Sequence, residues 1–127
     1  MTEFINSEAF KAANLPFSQA VRSGNAVYLS GAIGNAPGKM ELVPGGIEAE
    51  SRQMMENIAA VLREAGSGFD RVVKCTVYLA DMAEWGTFNK VYVPYFEPGR
   101  FPARTAIAAR QLILNARVEM ECIAEAR

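Results

Sequence analysis

Apolar and polar residues alternate in short stretches of the chain, and this alternation predicts β-strands. An apolar run near residues 17–21 and a second run over residues 26–33 flank a turn signal at residues 22–25, which together indicate a β-hairpin. In residues 71–79 the alternation is regular and places one set of side chains on a buried face, namely Val73, Cys75, Val77 and Leu79. The glycine- and proline-rich residues 35–46 predict a loop.

Two stretches repeat apolar residues at every third or fourth position, which is the period of an α-helix. The first begins near Ile47 and stops at Gly66. The second follows Asp81 and Glu84, which resemble a capping box, and ends at residues 98–99. Its aromatic stripe is predicted to pack against the sheet and not to bind a ligand; the stripe consists of Trp85, Phe88, Tyr92, Tyr95 and Phe96.

The last quarter of the chain favours a helix by composition, because residues 103–127 are rich in Ala, Arg, Leu, Met and Glu. The pattern indicates strands instead. Pro102 precedes the segment, and apolar and polar residues alternate on both sides of a turn near Asn115. We therefore predict two strands here, paired as a final hairpin.

The predicted order of elements is ββαβαββ, in a single domain over residues 1–127. A strand–helix–strand unit, a second helix and a terminal hairpin imply an α+β fold, with one mixed sheet and both helices packed on one face. A chain of this length has no third layer to cover the other face of the sheet. We therefore expect self-association.

The charge balance limits the partners of this protein. The chain has 13 Lys and Arg against 14 Asp and Glu, for a net charge of -1, with no cluster of either sign. A nucleic-acid partner is not expected, because binding it requires a basic surface that neutralises phosphates. No apolar run approaches the roughly 18 residues that span a bilayer. The first residues lack the features of a signal peptide, so we expect a cytoplasmic protein with no membrane partner.

The chain contains no histidine, so its chemistry must use carboxylates, arginine, hydroxyls, thiols or the backbone. Arg104 begins an apolar strand, where its guanidinium could bind a carboxylate through two parallel hydrogen bonds. Glu119, on the following strand, could be an acid–base group beside it, and Glu121 is a second candidate on the same face. Cys75 and Cys122 fall within apolar strands and are expected to be buried, reduced thiols without a disulfide or a zinc site.

Several segments carry a family resemblance that runs over nearly the whole chain. The most specific are residues 101–105 (Phe-Pro-Ala-Arg-Thr) and 118–124 (Val-Glu-Met-Glu-Cys-Ile-Ala), in which Glu119 comes fifteen residues after Arg104. Residues 16–21, 27–31, 42–46, 56–66 and 73–81 support them in the same order. With these segments the chain resembles the Rid (YjgF/YER057c/UK114) family, and within it the RidA-type imine deaminases.

The resemblance implies a chorismate-mutase-like (YjgF) fold that assembles into a homotrimer, with active-site clefts between subunits. It implies hydrolysis of 2-imino and 2-enamino acids to 2-oxo acids and ammonia, without a cofactor or a metal. Arg104 would bind the substrate carboxylate, and Glu119 would orient the attacking water. Ser30, Gly31 and Asn89 would line the pocket.

Two predicted pocket residues depart from the family pattern. Phe17 stands where the deaminases usually have a tyrosine, and Ala106 stands where many members have a cysteine. The pocket would therefore lack a hydroxyl and a thiol. Ala32, in place of a common glutamine, lowers its polarity further. A preference for more apolar substrates, or a lower activity, would follow.

Each candidate residue also has a structural alternative. Arg104 could form an internal salt bridge, and Glu119 could be a solvent-facing carboxylate on an edge strand. Ser30 and Asn89 could be polar residues that cap backbone groups. Phe17 could be an ordinary core or interface residue.

Three classes of function remain open on the sequence. The first is the imine deaminase, and the second is a non-catalytic small-molecule-binding or stress-related holdase protein of the same fold. The third is an endoribonuclease or translation inhibitor, which is disfavoured because the chain offers neither a basic track nor a histidine. The presence of both Arg104 and Glu119 favours the enzyme over the binding protein.

Overall fold

A computed structural model describes all residues, 1–127, as six β-strands and three α-helices joined by loops and short 3-10 turns. The elements in chain order are β1 (Thr2–Ile5), α1 (Glu8–Ala12), β2 (Ala20–Ser23), β3 (Ala26–Leu29), α2 (Gly46–Glu64), β4 (Val72–Leu79), α3 (Trp85–Tyr92), β5 (Ala103–Ala108) and β6 (Val118–Glu125). The strands form one mixed sheet in the order β1-β2-β3-β6-β4-β5. Only β4 and β5 are parallel neighbours. The predicted α+β class is confirmed.

The first strand and the first helix were not predicted. β1 pairs with β2, where Phe4 lies opposite Val21. α1 begins after Ser7, whose hydroxyl accepts a hydrogen bond from the Phe10 N–H at 3.1 Å. Neither element contains a fully buried residue, so neither produces a strong hydrophobic pattern. The predicted order ββαβαββ therefore lacks one strand and one short helix at its start.

The predicted hairpin at residues 22–25 is confirmed, but its strands are shorter than expected. β2 begins at Ala20 and not near Phe17, because Gln19 is bound to the segment before α1: its N–H donates to Asn6 Oδ1, and its side-chain oxygen accepts from the Ser7 N–H, both at 2.8 Å. β3 ends at Leu29. Gly24 takes the turn with φ of 60°.

The predicted final hairpin is wrong, because β5 and β6 lie on opposite sides of β4. Helix α3 carries the chain back across the sheet, so β5 returns parallel to β4, as a helical crossover requires. β6 then inserts between β3 and β4. It buries every second side chain, whereas β5 buries none completely. The more apolar strand therefore takes the central position and β5 forms the edge.

The core lies on one face of the sheet, under α2 and α3. Alternate side chains of β4 and β6 point into it, and they pack against apolar side chains of the two helices; the largest fully buried ones are Phe88, Met54, Met55, Ile58, Leu62, Leu79 and Met120. The prediction that both long helices cover one face is confirmed. None of the helices combines the length and the apolar character needed to cross a membrane.

The other face of the sheet is not covered by the chain. Phe4, Val21, Tyr28 and Ile123 lie opposite one another in register across β1, β2, β3 and β6 and form an apolar row. Phe4 and Tyr28 are 71% and 49% exposed. A contiguous apolar row of this kind is typical of a surface that another protein chain covers.

Asp81 and Glu84 form only half of the predicted capping box. The Asp81 carboxylate accepts a hydrogen bond from the Ala83 N–H at 2.9 Å. Glu84 does not return a bond to Asp81, because its carboxylate binds the Arg117 guanidinium at 2.6 Å. This ion pair fixes the loop before β6 against the start of α3.

Candidate active site

Arg104 lies on the helix-covered face of β5, over a group of aromatic rings from α3. Its guanidinium carbon is 4.7 Å from the ring centre of Tyr92, 5.6 Å from that of Phe88 and 5.9 Å from that of Trp85. A cation over aromatic faces at these distances is held by cation–π attraction. We call these three residues the aromatic bed.

The aromatic bed was only partly predicted. Packing against the sheet is confirmed for Phe88 and Tyr92, which are buried, but Trp85 remains 46% exposed. The contact of the stripe with Arg104 was missed. The signal was present in the sequence, since residues 85, 88 and 92 share one helix face. Finding the contact also required the parallel pairing of β5 with β4.

Arg104 makes no ion pair within the chain, although Arg117 and Arg127 do. The alternative of an internal salt bridge is therefore wrong for this chain. An arginine that is partly buried, oriented by aromatic rings and free of an acidic partner keeps its forked N–H donors available for an external carboxylate.

Asn89 and Ala106 lie on the same side of the sheet as Arg104. Ala106 follows Arg104 by two residues on β5 and lies opposite the buried Val77 of β4. Asn89 lies on α3, one helical turn after Trp85. Its Oδ1 is buried and has no hydrogen-bond partner, so this atom caps no backbone group. A buried acceptor without a donor costs free energy unless a ligand or water satisfies it.

Glu119 lies on the opposite face of the sheet. In the strand pairing Arg104 is opposite Cys75, whereas Glu119 is opposite Tyr78, three residues further along β4. Because successive side chains of a strand point to opposite faces, an odd separation places the two groups on different faces. The prediction that Glu119 lies beside Arg104 is therefore wrong within one chain.

Gly31 makes room for the Glu119 carboxylate. The residue that follows Gly31 pairs with Met120 in an isolated bridge, which brings the segment after β3 alongside β6. A Cβ atom built on Gly31 would overlap Glu119 Oε2. The absence of a side chain at position 31 is therefore a requirement for the observed position of the carboxylate.

We predict that Gly31→Ala displaces the Glu119 carboxylate without unfolding the protein. Gly31 does not have a positive φ, so alanine introduces no backbone strain, and the obstructing atoms belong to a side chain that can rotate. If Glu119 is the acid–base group that the family resemblance implies, imine hydrolysis should fall by about tenfold or more, because misplacing a reacting group by an ångström is costly. Steady-state kinetics together with a thermal melt would test this. A wild-type rate would contradict the position of Glu119.

Ser30 directly precedes Gly31, and its hydroxyl contacts the loop that carries Phe17. The Ser30 hydroxyl donates a hydrogen bond to the Ser18 carbonyl at 2.6 Å. The alternative that Ser30 binds a backbone group is therefore confirmed. This bond ties the loop that carries Phe17 to the end of β3. Phe17 is 51% exposed and packs edge-on against Phe10, with ring centres 5.4 Å apart. It is therefore not a core residue.

Glu119 is partly buried on a central strand, so the alternative of an edge-strand carboxylate is wrong. No hydrogen bond or ion pair within the chain uses its carboxylate. Burial raises its pKa, and the neighbouring charge of Glu121 raises it further. Glu121 itself is more exposed and accepts a hydrogen bond from the Tyr78 hydroxyl at 2.7 Å. Glu119 is thus the better of the two acid–base candidates.

The predicted site residues therefore form two groups. One group, which we call the arginine half, contains Arg104, Ala106 and Asn89 on the helix-covered face. The other, the glutamate half, comprises residues at the uncovered side and its adjoining loops: Phe17, Ser30, Gly31 and Glu119.

No large surface groove or metal-binding cluster connects the arginine half with the glutamate half. A surface groove of about 340 Å³ runs between the start of β4 and the segment before β5, but no predicted site residue lines it. No three His, Cys, Asp or Glu side chains are placed to hold a metal ion together. The chemistry that the two halves can perform is carboxylate binding and proton transfer.

Comparison with known proteins identifies the family. A family model described as Endoribonuclease L-PSP matches residues 7–126. The chain is 43% identical over 120 residues to a mouse protein named 2-iminobutanoate/2-iminopropanoate deaminase, covering 94% of this chain and 88% of that protein. The human protein of the same name is 41% identical over 109 residues, with coverage of 86% and 79%.

A solved structure shows the same fold. The crystal structure of RidA from the Antarctic bacterium Psychrobacter sp. PAMC 21119 superimposes with a TM-score of 0.88 and is 36% identical in sequence, covering 97% of this chain and 98% of that one. The family match over nearly the whole length agrees with the segments around Arg104 and Glu119. The chain therefore belongs to the Rid (YjgF/YER057c/UK114) family, whose family model carries the name Endoribonuclease L-PSP.

Proposed function

We propose that this protein is a hydrolytic deaminase that converts 2-imino and 2-enamino acids into 2-oxo acids and ammonia. The observation that carries the proposal is the pair of unpartnered charged groups: Arg104 on its aromatic bed and Glu119 against Gly31. One group is suited to bind a carboxylate, and the other is suited to move protons. The names of the similar mammalian proteins support the same reaction.

We further propose that each active site is shared by two chains of a homotrimer. Arg104 and Glu119 point to opposite faces within one chain, so a single chain cannot bring both to one substrate. A head-to-tail contact places one face of a chain against a different surface of the next, and three such contacts can close a ring. The uncovered apolar row supplies a surface for that contact.

In this site the substrate carboxylate binds Arg104 through two parallel hydrogen bonds, which fixes the C=N carbon. Glu119 of the neighbouring chain takes a proton from water as the oxygen attacks that carbon and passes it to the imine nitrogen, giving a neutral carbinolamine. Glu119 then moves the hydroxyl proton of the carbinolamine to the nitrogen as the C–N bond breaks, and ammonia and the 2-oxo acid leave. Proton transfer by a positioned carboxylate contributes about 10²–10⁴-fold, which is sufficient for an electrophilic imine.

Asn89 completes the proposed arginine half. Its buried Oδ1 has no partner in the chain, and a substrate N–H group would satisfy it. An amide acceptor near the carboxylate-binding arginine would therefore select a substrate that carries both a carboxylate and an N–H.

The test is imine hydrolysis itself. An amino-acid oxidase generates iminopropionate and larger imino acids in the presence of semicarbazide, and the readout is how far the protein suppresses semicarbazone formation. Suppression in the wild type and not in an Arg104→Ala control would support the deaminase. A folded, assembled protein that suppresses nothing would leave the binding-only alternative, which the apolar substitutions at Phe17 and Ala106 favour.

The raised pKa of Glu119 predicts the pH dependence of this activity. Glu119 acts as a base only when ionised, so kcat/KM should be constant above its pKa and fall as the pH decreases through it. Burial and Glu121 move this acid limb upward from the usual glutamate range. The groups facing Glu119 are Glu121 on β6 and Tyr78 on β4.

Glu121→Gln removes the like charge and should move the acid limb to lower pH while leaving the plateau rate nearly unchanged. Profiles of kcat/KM against pH for the wild type and for this variant provide the measurement. An acid limb that does not move would show that the limb belongs to another group.

A further inference from the structure

Two buried thiols lie in direct contact beside Arg104. Cys75 on β4 and Cys122 on β6 are opposite each other in the antiparallel pairing. Their sulfur atoms are 3.2 Å apart, and both residues are at most 2% exposed. The expectation that both thiols are buried is confirmed, but the sequence did not show that the two are neighbours.

The thiol pair connects to the arginine half. On its other side Cys75 is opposite Arg104 across the β4–β5 pairing, so Cys122, Cys75 and Arg104 form one row across three strands. The Tyr92 hydroxyl is buried without a hydrogen bond of good geometry, and Cys75 is close enough to contribute to the raised pKa of that hydroxyl, which burial chiefly causes. The ring of the same tyrosine carries the Arg104 guanidinium.

We propose that Cys75 and Cys122 form a reversible intramolecular disulfide in the presence of a small peroxide oxidant, and that its formation changes how the aromatic bed holds Arg104. The disulfide is independent of the proposed reaction. Its effect on substrate binding rests on the proposed role of Arg104.

The chemistry balances with hydrogen peroxide as the oxidant. Cys75 is the attacking thiol, because it is the one of the two that lies opposite Arg104, and its contact with Cys122 and the positive charge of Arg104 lower its pKa. The Cys75 thiolate attacks one peroxide oxygen, which breaks the O–O bond and gives a sulfenic acid and hydroxide. The Cys122 sulfur then displaces the sulfenic oxygen as water. In sum, two thiols and one peroxide give one disulfide and two waters.

The position of the thiols makes the reaction slow and selective. Only a small oxidant can reach groups that are nearly fully buried, and it can do so when the edge strand β5, which pairs on one side only, opens locally. A disulfide has an S–S length of about 2.05 Å, so the two sulfurs must move closer together. That movement takes Cys75 away from its position next to the Tyr92 hydroxyl.

The first measurement is the mass of the intact, assembled protein after hydrogen peroxide treatment and alkylation in denaturant. We expect a loss of about 2 Da, no alkylated cysteine and full reversal by dithiothreitol. Cys75→Ala and Cys122→Ala should each abolish the loss. Two alkylated thiols after oxidation, or oxygen added to one cysteine only, would overturn the proposal.

The second measurement uses Trp85, the only tryptophan in the chain, as a reporter beside Arg104. Its emission is followed while 2-oxobutanoate is titrated into reduced and oxidised protein. We expect oxidation to weaken binding several-fold and dithiothreitol to restore it, with no effect of peroxide on Cys122→Ala. Unchanged emission and affinity in a protein that has lost 2 Da would overturn the link to Arg104. Absence of hydrolysis in both forms would instead reject the proposed function.

Discussion

Arg104→Ala should reduce kcat/KM for 2-imino acids by about 10²–10³-fold, because it removes both charge-assisted hydrogen bonds to the substrate carboxylate. Arg104→Lys should recover only part of the loss, since an ammonium group keeps the charge without the planar fork. Steady-state competition against semicarbazide for both variants measures this. The aromatic bed should keep its packing in both variants, because Phe88 and Tyr92 belong to the hydrophobic core.

The matched substrate control is an imine that lacks a carboxylate. If Arg104 acts only through that carboxylate, wild type and Arg104→Ala should hydrolyse this imine at similar rates. An equal loss with both substrates would show that Arg104 has another role. If Arg104→Ala hydrolysed imino acids as fast as the wild type, Arg104 would not be part of the active site.

Glu119→Gln should lower kcat by about 10²–10⁴-fold with little change in KM, because the amide keeps the size of the side chain but cannot accept a proton from water. The residual activity should lose the acid limb of the pH profile. Glu121→Gln is the matched control, since it makes the same change two residues away on the same face. A loss of similar size in Glu121→Gln would contradict the assignment of Glu119 as the base.

Regular periodicity made much of the fold predictable. The helical spacing in α2 and the alternation of Cys75, Val77 and Leu79 in β4 come from residues that bury one face, so pattern and structure agree there. Val73 was predicted on the same buried face but is 46% exposed, because a register shift between Val72 and Lys74 places Val72 in the core instead.

The first strand and the first helix could not be predicted in this way, because β1 and α1 bury no residue completely and so leave no periodic pattern. The prediction of a terminal hairpin failed because two strand patterns that follow each other in the sequence do not show which strands they pair with in the sheet. The choice between β4 and β5 as the neighbour of β6 depends on the whole sheet.

The candidate site was predictable as a set of residues but not as an arrangement. Arg104 and Glu119 could be identified as candidates because a charged group in an apolar strand costs free energy to bury unless it has a partner or a ligand. Their placement on opposite faces follows from the register of both with β4, which the sequence does not specify. The aromatic bed likewise required the pairing of β5, and the contact of Cys75 with Cys122 required that of β6.

Subunit mixing tests most directly whether Arg104 of one chain and Glu119 of another act on the same substrate. Arg104→Ala and Glu119→Gln, each expected to be nearly inactive alone, are combined by co-expression or by refolding together. If each site takes one group from each of two chains, random mixing in equal amounts restores about one quarter of the wild-type sites, since each of the two positions is intact with a chance of about one half. Mixed assemblies that stay as inactive as the separate variants, beside an active wild type, would contradict the shared site.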